Sequence, residues 1–385
     1  MAIQEISLTD YRNISKMVMH PTDHINLLYG ANGQGKTNVL EAIWLFTGMP
    51  SFRDAKLKDC VRFDAPKAKL TLRCENSFLQ TASLTIGSER SISYNGVKYP
   101  SLQKAAGNFR CVVFAPNHLY LFHDGPKARR NLLNQMISQL RPNYASYLSD
   151  YEKLVANRNV LLRDYKNRSD LPLLLEPWDL QLSQVGTWLT VYRSEYVEYL
   201  SRYIGEIYDG LSGKSEQLSI SYQSTVFEQM PLDGYRREYA QLYYEKLQQN
   251  LSEDLLSGHT GIGAHRDDLE FCLNGLSLKN FGSQGQQRSA IIALKIAESR
   301  LISRLTGELP VILLDDVMSE LDLSRQNYIM NQLGNSQVFI TCCDPANTMR
   351  LKAGKIFQIH AGSLQEERRV EEGVPASGRT DNHSK

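Results

Sequence analysis

Three short stretches of the chain combine residue types suited to phosphate chemistry. Gly30-Ala31-Asn32-Gly33-Gln34-Gly35-Lys36-Thr37 fits the pattern G-x-x-x-x-G-K-T. In that pattern backbone N–H groups wrap phosphates, the lysine reaches the β and γ oxygens, and the hydroxyl ligates Mg²⁺. Val311-Ile312-Leu313-Leu314 runs into Asp315-Asp316. A phosphate loop needs a carboxylate at the end of a buried strand, so Asp315 is expected to hold Mg²⁺. Asp316 is placed to orient or deprotonate the attacking water, unless it only caps the turn. Lastly, Gly282-Ser283-Gln284-Gly285-Gln286-Gln287 leads straight into an apolar-periodic stretch. Such a helix N-terminus can receive an anion on unpaired N–H groups. One phosphate loop leaves one side of a γ-phosphate open. In a two-fold dimer the Ser283 loop of one subunit would close the nucleotide held by Gly30–Thr37 of the other.

The elements that must position these residues can be read from periodicity. Ile25–Tyr29 is a short apolar strand before the phosphate loop, and Asn38–Phe46 a helix after it. Stretches around 69–74, 82–86 and 91–94 alternate as antiparallel strands, with Asn95-Gly96 as a hairpin turn. Fourteen of the twenty tyrosines fall between 144 and 244. Several stand at helical spacing (Tyr144, Tyr147, Tyr151; Tyr192, Tyr196, Tyr199, Tyr203), which predicts long amphipathic helices whose tyrosines pack helix on helix. Stacking on nucleic-acid bases is the rival role. After 256 the pattern returns to α/β, with strands at 269–273, 311–314 and 337–341. From 365 on the chain is polar and charged and is expected to be a disordered tail. The pattern therefore divides the chain into an α/β segment over 1–125, a helical segment over 126–255, a second α/β segment over 256–364, and a tail over 365–385.

Composition narrows the classes. No apolar run is long enough for a membrane span, and the six scattered cysteines suit a reduced, cytoplasmic protein better than a disulfide or zinc framework. The net charge of +1 hides an uneven distribution. Residues 1–125 carry 14 Lys+Arg against 10 Asp+Glu, a net +4, whereas 126–255 carry 15 against 17, a net −2. A partner such as DNA would have to use a local patch, best placed on the first segment, where Arg53, Lys56, Lys58 and Arg62, joined by Arg129 and Arg130, are the candidates. His265-Arg266-Asp267-Asp268 imitates a kinase catalytic loop. Leu269, Phe271 and Leu273 alternate as a strand and no D-F-G follows, so the block is expected to organise the nucleotide site or a neighbouring surface.

Taken together, the Ser283 loop resembles the signature of ABC-type ATPases, and Ser319-Glu320-Leu321-Asp322 resembles their D-loop. From residue 1 to about 345 the chain resembles the RecF family of bacterial gap-repair ATPases. The blocks carrying this are Tyr11-Arg12-Asn13, Gly30–Thr37 with Asn38–Ile43, Ser51-Phe52-Arg53, Phe114-Ala115-Pro116, Gly125-Pro126 with Arg129-Arg130, Gly263 with His265–Asp268, Gly282–Arg288, and Leu313–Val317 with Ser319–Asp322. The resemblance implies an ABC-type P-loop ATPase head with an inserted α-helical arm. It implies ATP and Mg²⁺ as ligands, and nucleotide contacts from Arg12, Gly30, Ala31, Asn32, Gly33, Gln34, Gly35, Lys36, Thr37, Asn38, Ser283, Gly285, Gln286 and Asp322. It further implies an ATP-dependent homodimer, binding to gapped DNA and ds–ss junctions, slow DNA-stimulated hydrolysis, and work with RecO and RecR in loading RecA. The chain departs from the family at Met49-Pro50, Asn117-His118, Asn131 and Cys342-Cys343. A transporter ATPase would need a switch histidine after the last core strand, and Thr341-Cys342-Cys343-Asp344 has none. A nucleotide-gated module that scarcely hydrolyses ATP stays open, because Asp316 is shorter than the usual Glu.

Overall fold

The computed structural model describes residues 1–75, 78–165, 168–213, 216–343 and 354–370. An antiparallel sheet opens the chain: β1 (Ala2–Tyr11), β2 (Ile14–Met19), β4 (Lys67–Glu75), β5 (Thr81–Gly87), β6 (Ser91–Tyr94) and β7 (Val97–Tyr99), in the order β2-β1-β4-β5-β6-β7. In β4 and β5 alternate residues are buried, as their sequence alternation predicts. Asn95 and Gly96 both take positive φ between β6 and β7, the geometry of a tight hairpin.

A second sheet carries the phosphate chemistry. It contains β3 (Ile25–Tyr29), β8 (Cys111–Phe114), β12 (Val311–Asp315), β13 (Val338–Cys342), β14 (Gly354–His360) and β15 (Ser363–Val370), ordered β15-β14-β3-β13-β12-β8. All but β15 run parallel to their neighbours. Helix α1 (Lys36–Leu45) packs Val39, Leu40, Ile43 and Trp44 into the core shared by the two sheets. β8, β12 and β13 are buried on both faces, and the parallel pairing aligns the carboxyl ends of all five strands at one rim, the usual place for a ligand in such a sheet.

The arm holds α2 (Pro126–Ser138), α3 (Pro142–Asp164), α4 (Leu171–Ser212), α5 (Arg237–Gln249) and α6 (Leu251–Ser257). With 42 residues α4 is about 63 Å long at 1.5 Å per residue. Tyr144, Tyr151, Tyr196, Tyr208, Tyr222 and Tyr243 are buried in the arm's core, which fits the packing role. Two sequence expectations need correction. The arm is not wholly helical: β9 (Leu218–Gln223) lies within it and pairs with β10 (Asp268–Leu273), which in turn pairs with β11 (Leu276–Ser277). Leu218, Ile220 and Tyr222 alternate with Ser219, Ser221 and Gln223, a period-two signal that the helical tyrosine spacing on either side obscured. The tail does not begin at 365, because residues 363–370 form β15, whose charged face is solvated while its backbone pairs with β14. Residues 371–385 and Asp344 lie outside those described. The remaining helices are α7 (Leu278–Phe281), α8 (Gln284–Thr306) and α9 (Leu323–Leu333).

Candidate nucleotide site and its second phosphate cradle

The loop from Gly30 to Thr37 leaves β3 and enters α1 at the rim of the parallel sheet. Two of its glycines are obligatory. A Cβ at Gly30 (φ 150°) would meet Ile359 O at 2.2 Å, and one at Gly35 (φ 113°) would meet Asn13 Oδ1 at 2.9 Å. The loop is also braced from outside by the β14–β15 turn: Ala361 N donates to Gln34 Oε1 (2.6 Å) and Gly362 N to Gln34 O (2.9 Å). Lys36 Nζ turns back onto its own loop, donating to Gly30 O (2.5 Å) and Ala31 O (2.9 Å). Cys343 Sγ stands 4.0 Å from that ammonium and donates to Asn32 Oδ1 at 2.9 Å.

Asp315, at the end of β12, is separated from β3 by β13, yet Thr37 Oγ1 reaches across to donate to Asp315 Oδ1 at 2.8 Å. Thr341 Oγ1, on the intervening strand, donates to the same oxygen at 2.9 Å. Burial pushes the Asp315 carboxyl above its usual range, and the two hydroxyls partly offset this. Hydroxyl and carboxylate thus converge where the sequence placed a Mg²⁺ site, and their oxygen chemistry suits that ion. Asp316 follows with a left-handed φ of 54°; its N–H donates to Thr341 Oγ1 (2.9 Å) and its Oδ1 accepts from Ser319 Oγ (3.1 Å). The water-orienting and turn-capping roles are both compatible with that geometry.

Beside the loop, Arg12 makes a two-toothed contact with Glu41 of α1, Nε to Oε2 at 2.9 Å and Nη2 to Oε1 at 2.6 Å. Glu41 is fully buried and also accepts from Tyr11 Oη (2.9 Å) and from Ser51 Oγ. Burial alone would raise the Glu41 carboxyl. The hydrogen bonds from Arg12, Ser51 and Tyr11, with the Arg12 charge, hold it below the ordinary value instead. Asn13 joins this group to the first turn of α1 by accepting from Asn38 Nδ2 at 2.8 Å. Arg53 donates to Asn38 Oδ1 at 2.8 Å. Arg12, Asn13, Asn38, Arg53, Lys58 and Arg62 line one open cavity. Three of the cations expected to meet DNA, Arg53, Lys58 and Arg62, therefore share one cavity with Asn13 and with Asn38 of α1. Glu41, the anchor of this corner, received no role from the sequence. A carboxylate on the apolar face of α1, five residues after Lys36, was the available signal.

Arg129 requires correction. It is 3% exposed, pairs with Asp268 through Nε–Oδ1 and Nη2–Oδ2 at 2.8 Å each, and donates to Leu121 O (3.1 Å) and Asp124 O (3.0 Å). Four of its five N–H groups are spent inside the protein, and its burial withdraws it from DNA. Arg130 is half-buried and donates to Asp267 O at 2.7 Å. The His265–Asp268 block is the joint between arm and head. Asp267 accepts from Tyr222 Oη (2.6 Å), Thr225 N (2.7 Å) and Thr225 Oγ1 (2.9 Å). His265 Nε2 lies 3.0 Å from Thr260 O and so carries the proton, leaving Nδ1 to accept from Tyr151 Oη at 2.9 Å. Burial lowers the His265 pKa to about 4.

The second cradle opens α8. Ser283 Oγ accepts from Gln286 N (3.3 Å) and Gln286 Oε1 accepts from Ser283 N (2.7 Å), a reciprocal capping box. Ser283 is exposed and Gly285 half-exposed, and Ser283 bonds only to its own helix end among the described residues. Asp322 likewise caps α9 by accepting from Arg325 N at 3.0 Å. Neither loop bonds to the Gly30–Thr37 loop of its own chain among the described residues.

The model of the RecF/RecN/SMC N-terminal domain matches residues 2–364. The DNA replication and repair protein RecF of Clostridium beijerinckii is 33% identical over 369 residues, covering 94% of this chain and 98% of that protein. RecF of Ruminiclostridium cellulolyticum is 32% identical over 370 residues, covering 94% and 99%. Among solved structures, the recombination mediator protein RecF-ATPrS in the RecFOR pathway superimposes with a TM-score of 0.86 at 32% identity, covering 94% of this chain and 97% of that one. The Smc head domain of Pyrococcus furiosus, at 14% identity and a TM-score of 0.53, shares the fold. On the match of the family model to residues 2–364 and on these relatives, the chain belongs to the RecF family of SMC-like ATPases.

Proposed function

We propose that this chain is an ATP-gated DNA-repair switch. Each Gly30–Thr37 loop binds ATP, two copies close with the partner's Ser283 loop over the γ-phosphate, and the closed dimer holds DNA at single-strand gaps and ds–ss junctions. The observation that carries this is the pairing of one complete cradle, joined to its carboxylate by the Thr37–Asp315 bond, with a second cradle that is exposed and capped only upon itself. Thr37 and Asp315 would hold Mg²⁺, which neutralises charge developing on the β and γ oxygens. Lys36 exchanges two loop carbonyls for phosphate oxygens. Slow, DNA-stimulated hydrolysis then reopens the dimer. In the cytoplasm this serves recombinational repair, replication restart and the SOS response, with RecO and RecR as partners and RecA loading as the outcome.

The alternative is a module that scarcely hydrolyses ATP. It draws support from Asp316, whose carboxylate is shared with the Ser319 hydroxyl. Turnover with and without gapped DNA separates the two. The test of the switch is mass in solution. Wild type should become a dimer on ATP, and Ser283→Arg should stay monomeric while still binding ATP, since the added cation enters only the partner's site. A Ser283→Arg protein that dimerises with ATP, or cannot bind it as a monomer, overturns closure by the partner.

A further inference from the structure

Gln286 makes a bond that the capping of α8 does not need. Its side-chain carbonyl is occupied by Ser283 N–H, and its amide donates to Glu216 Oε1 at 2.5 Å. The other oxygen of Glu216 accepts from Tyr208 Oη at 2.8 Å. Tyr208 is buried in the last turns of α4, and Glu216 lies just before β9. The root of the arm therefore reaches the exposed cradle through one carboxylate. That root is itself fixed along the same face: Arg304 Nη1 donates to Tyr203 Oη (2.5 Å), Arg300 pairs with Glu206 (3.2 Å), and a Cβ on Gly210 would meet the Tyr328 ring of α9 at 2.3 Å.

A primary amide has one acceptor and two donors, and its orientation is set by whichever partner is least forgiving. A carboxylate accepts only, so Glu216 compels the Gln286 amide nitrogen to face it and turns the carbonyl toward Ser283 N–H. Ser283 Oγ then takes Gln286 N, and the N–H groups of Gln284 and Gly285 are left outward at the start of the helix. We propose that Glu216 is a positioning residue for the second cradle: through Gln286 it fixes the conformation in which Ser283 and the first-turn N–H groups meet the partner's triphosphate. The acceptor oxygen of Glu216 performs this task, and its charge does not. The inference rests on closure by the partner's Ser283 loop.

The test is the protein concentration for half-dimerisation in saturating ATP, alongside ATP affinity of the monomer. Glu216→Ala should raise that concentration on the order of tenfold or more, since one hydrogen bond is lost at each of two cradles. Monomer ATP affinity should be unchanged. Glu216→Gln, which keeps an acceptor oxygen, should restore most of the loss. Gln286→Met should cost about as much as Glu216→Ala, and the double variant no more than either single one, because both act through one bond. A Glu216→Ala protein that dimerises like wild type overturns the inference, as do additive losses or a Gln variant no better than Ala. Where Glu216→Ala lowers monomer ATP affinity through general damage, Gln286→Met and Glu216→Gln decide alone. A wild type that stays monomeric on ATP defeats closure itself, a result distinct from failure of the clamp.

Discussion

Replacing Arg129 by Met separates two roles for one cation. The sequence put Arg129 on the DNA, whereas the structure buries it between α2, the end of the 3-10 turn at Pro116–Tyr120 and the start of β10. Methionine keeps the stem volume and deletes the guanidinium. Two charge-assisted bonds to Asp268 and two bonds to carbonyls disappear together. Breaking a buried pair by removing one partner costs about 3–5 kcal/mol. The Asp268 side chain is 31% exposed and recovers water, which lowers the figure. The Leu121 carbonyl recovers little, since a buried unsatisfied group costs about 1–3 kcal/mol. The balance is a destabilisation of about 3 kcal/mol. Urea unfolding followed by tryptophan fluorescence reads it, since Trp178 and Trp188 both lie in α4. At a temperature where the variant is folded, the salt dependence of its gapped-DNA binding should match wild type. A variant as stable as wild type, with its slope of log affinity against log salt flattened by about one unit, would refute the structural assignment and restore the DNA contact.

The two acids of the rim should part company: Asp315→Asn weakens Mg²⁺-dependent ATP binding, whereas Asp316→Asn keeps binding and prolongs the dimer. Equal losses of ATP affinity in titrations of both variants would end that division. Stability should fall with acid at the arm–head joint. The folded His265 pKa of about 4 lies below the unfolded value near 6.5, so the neutral imidazole stabilises above pH 6.5. That contribution is lost as pH falls from 6.5 toward 4, by up to about 3 kcal/mol, and the difference between wild type and His265→Gln in urea unfolding should shrink over that window. An unchanged difference across it rules the group out. For DNA, Lys56→Ala/Lys58→Ala should flatten the salt slope by about two units with dimerisation intact, and an unaltered slope would place the duplex elsewhere.

Much of the site was legible in one dimension because its parts are local. Glycines, lysine and threonine of a phosphate loop must be contiguous, since a few consecutive N–H groups wrap one phosphate. A metal carboxylate must follow a buried strand, which four aliphatics announce. The capping box at Ser283 is also local, with two side chains satisfying each other's backbone across three residues. What the tertiary structure decided are the partners of charges. Arg129 and Arg53 are equally basic in the sequence, yet one is consumed by Asp268, 139 positions away, while the other stands at a cavity beside Asn38. The His265–Asp268 block became a joint only when Tyr151, Tyr222, Thr225 and Thr260 gathered around it. Glu41 likewise meets Arg12, and Glu216 meets Gln286, only in the folded chain. Backbone conformation follows from neighbours along the chain, whereas the energy of a charge depends on the dielectric and the counter-groups around it. Those are supplied by folding.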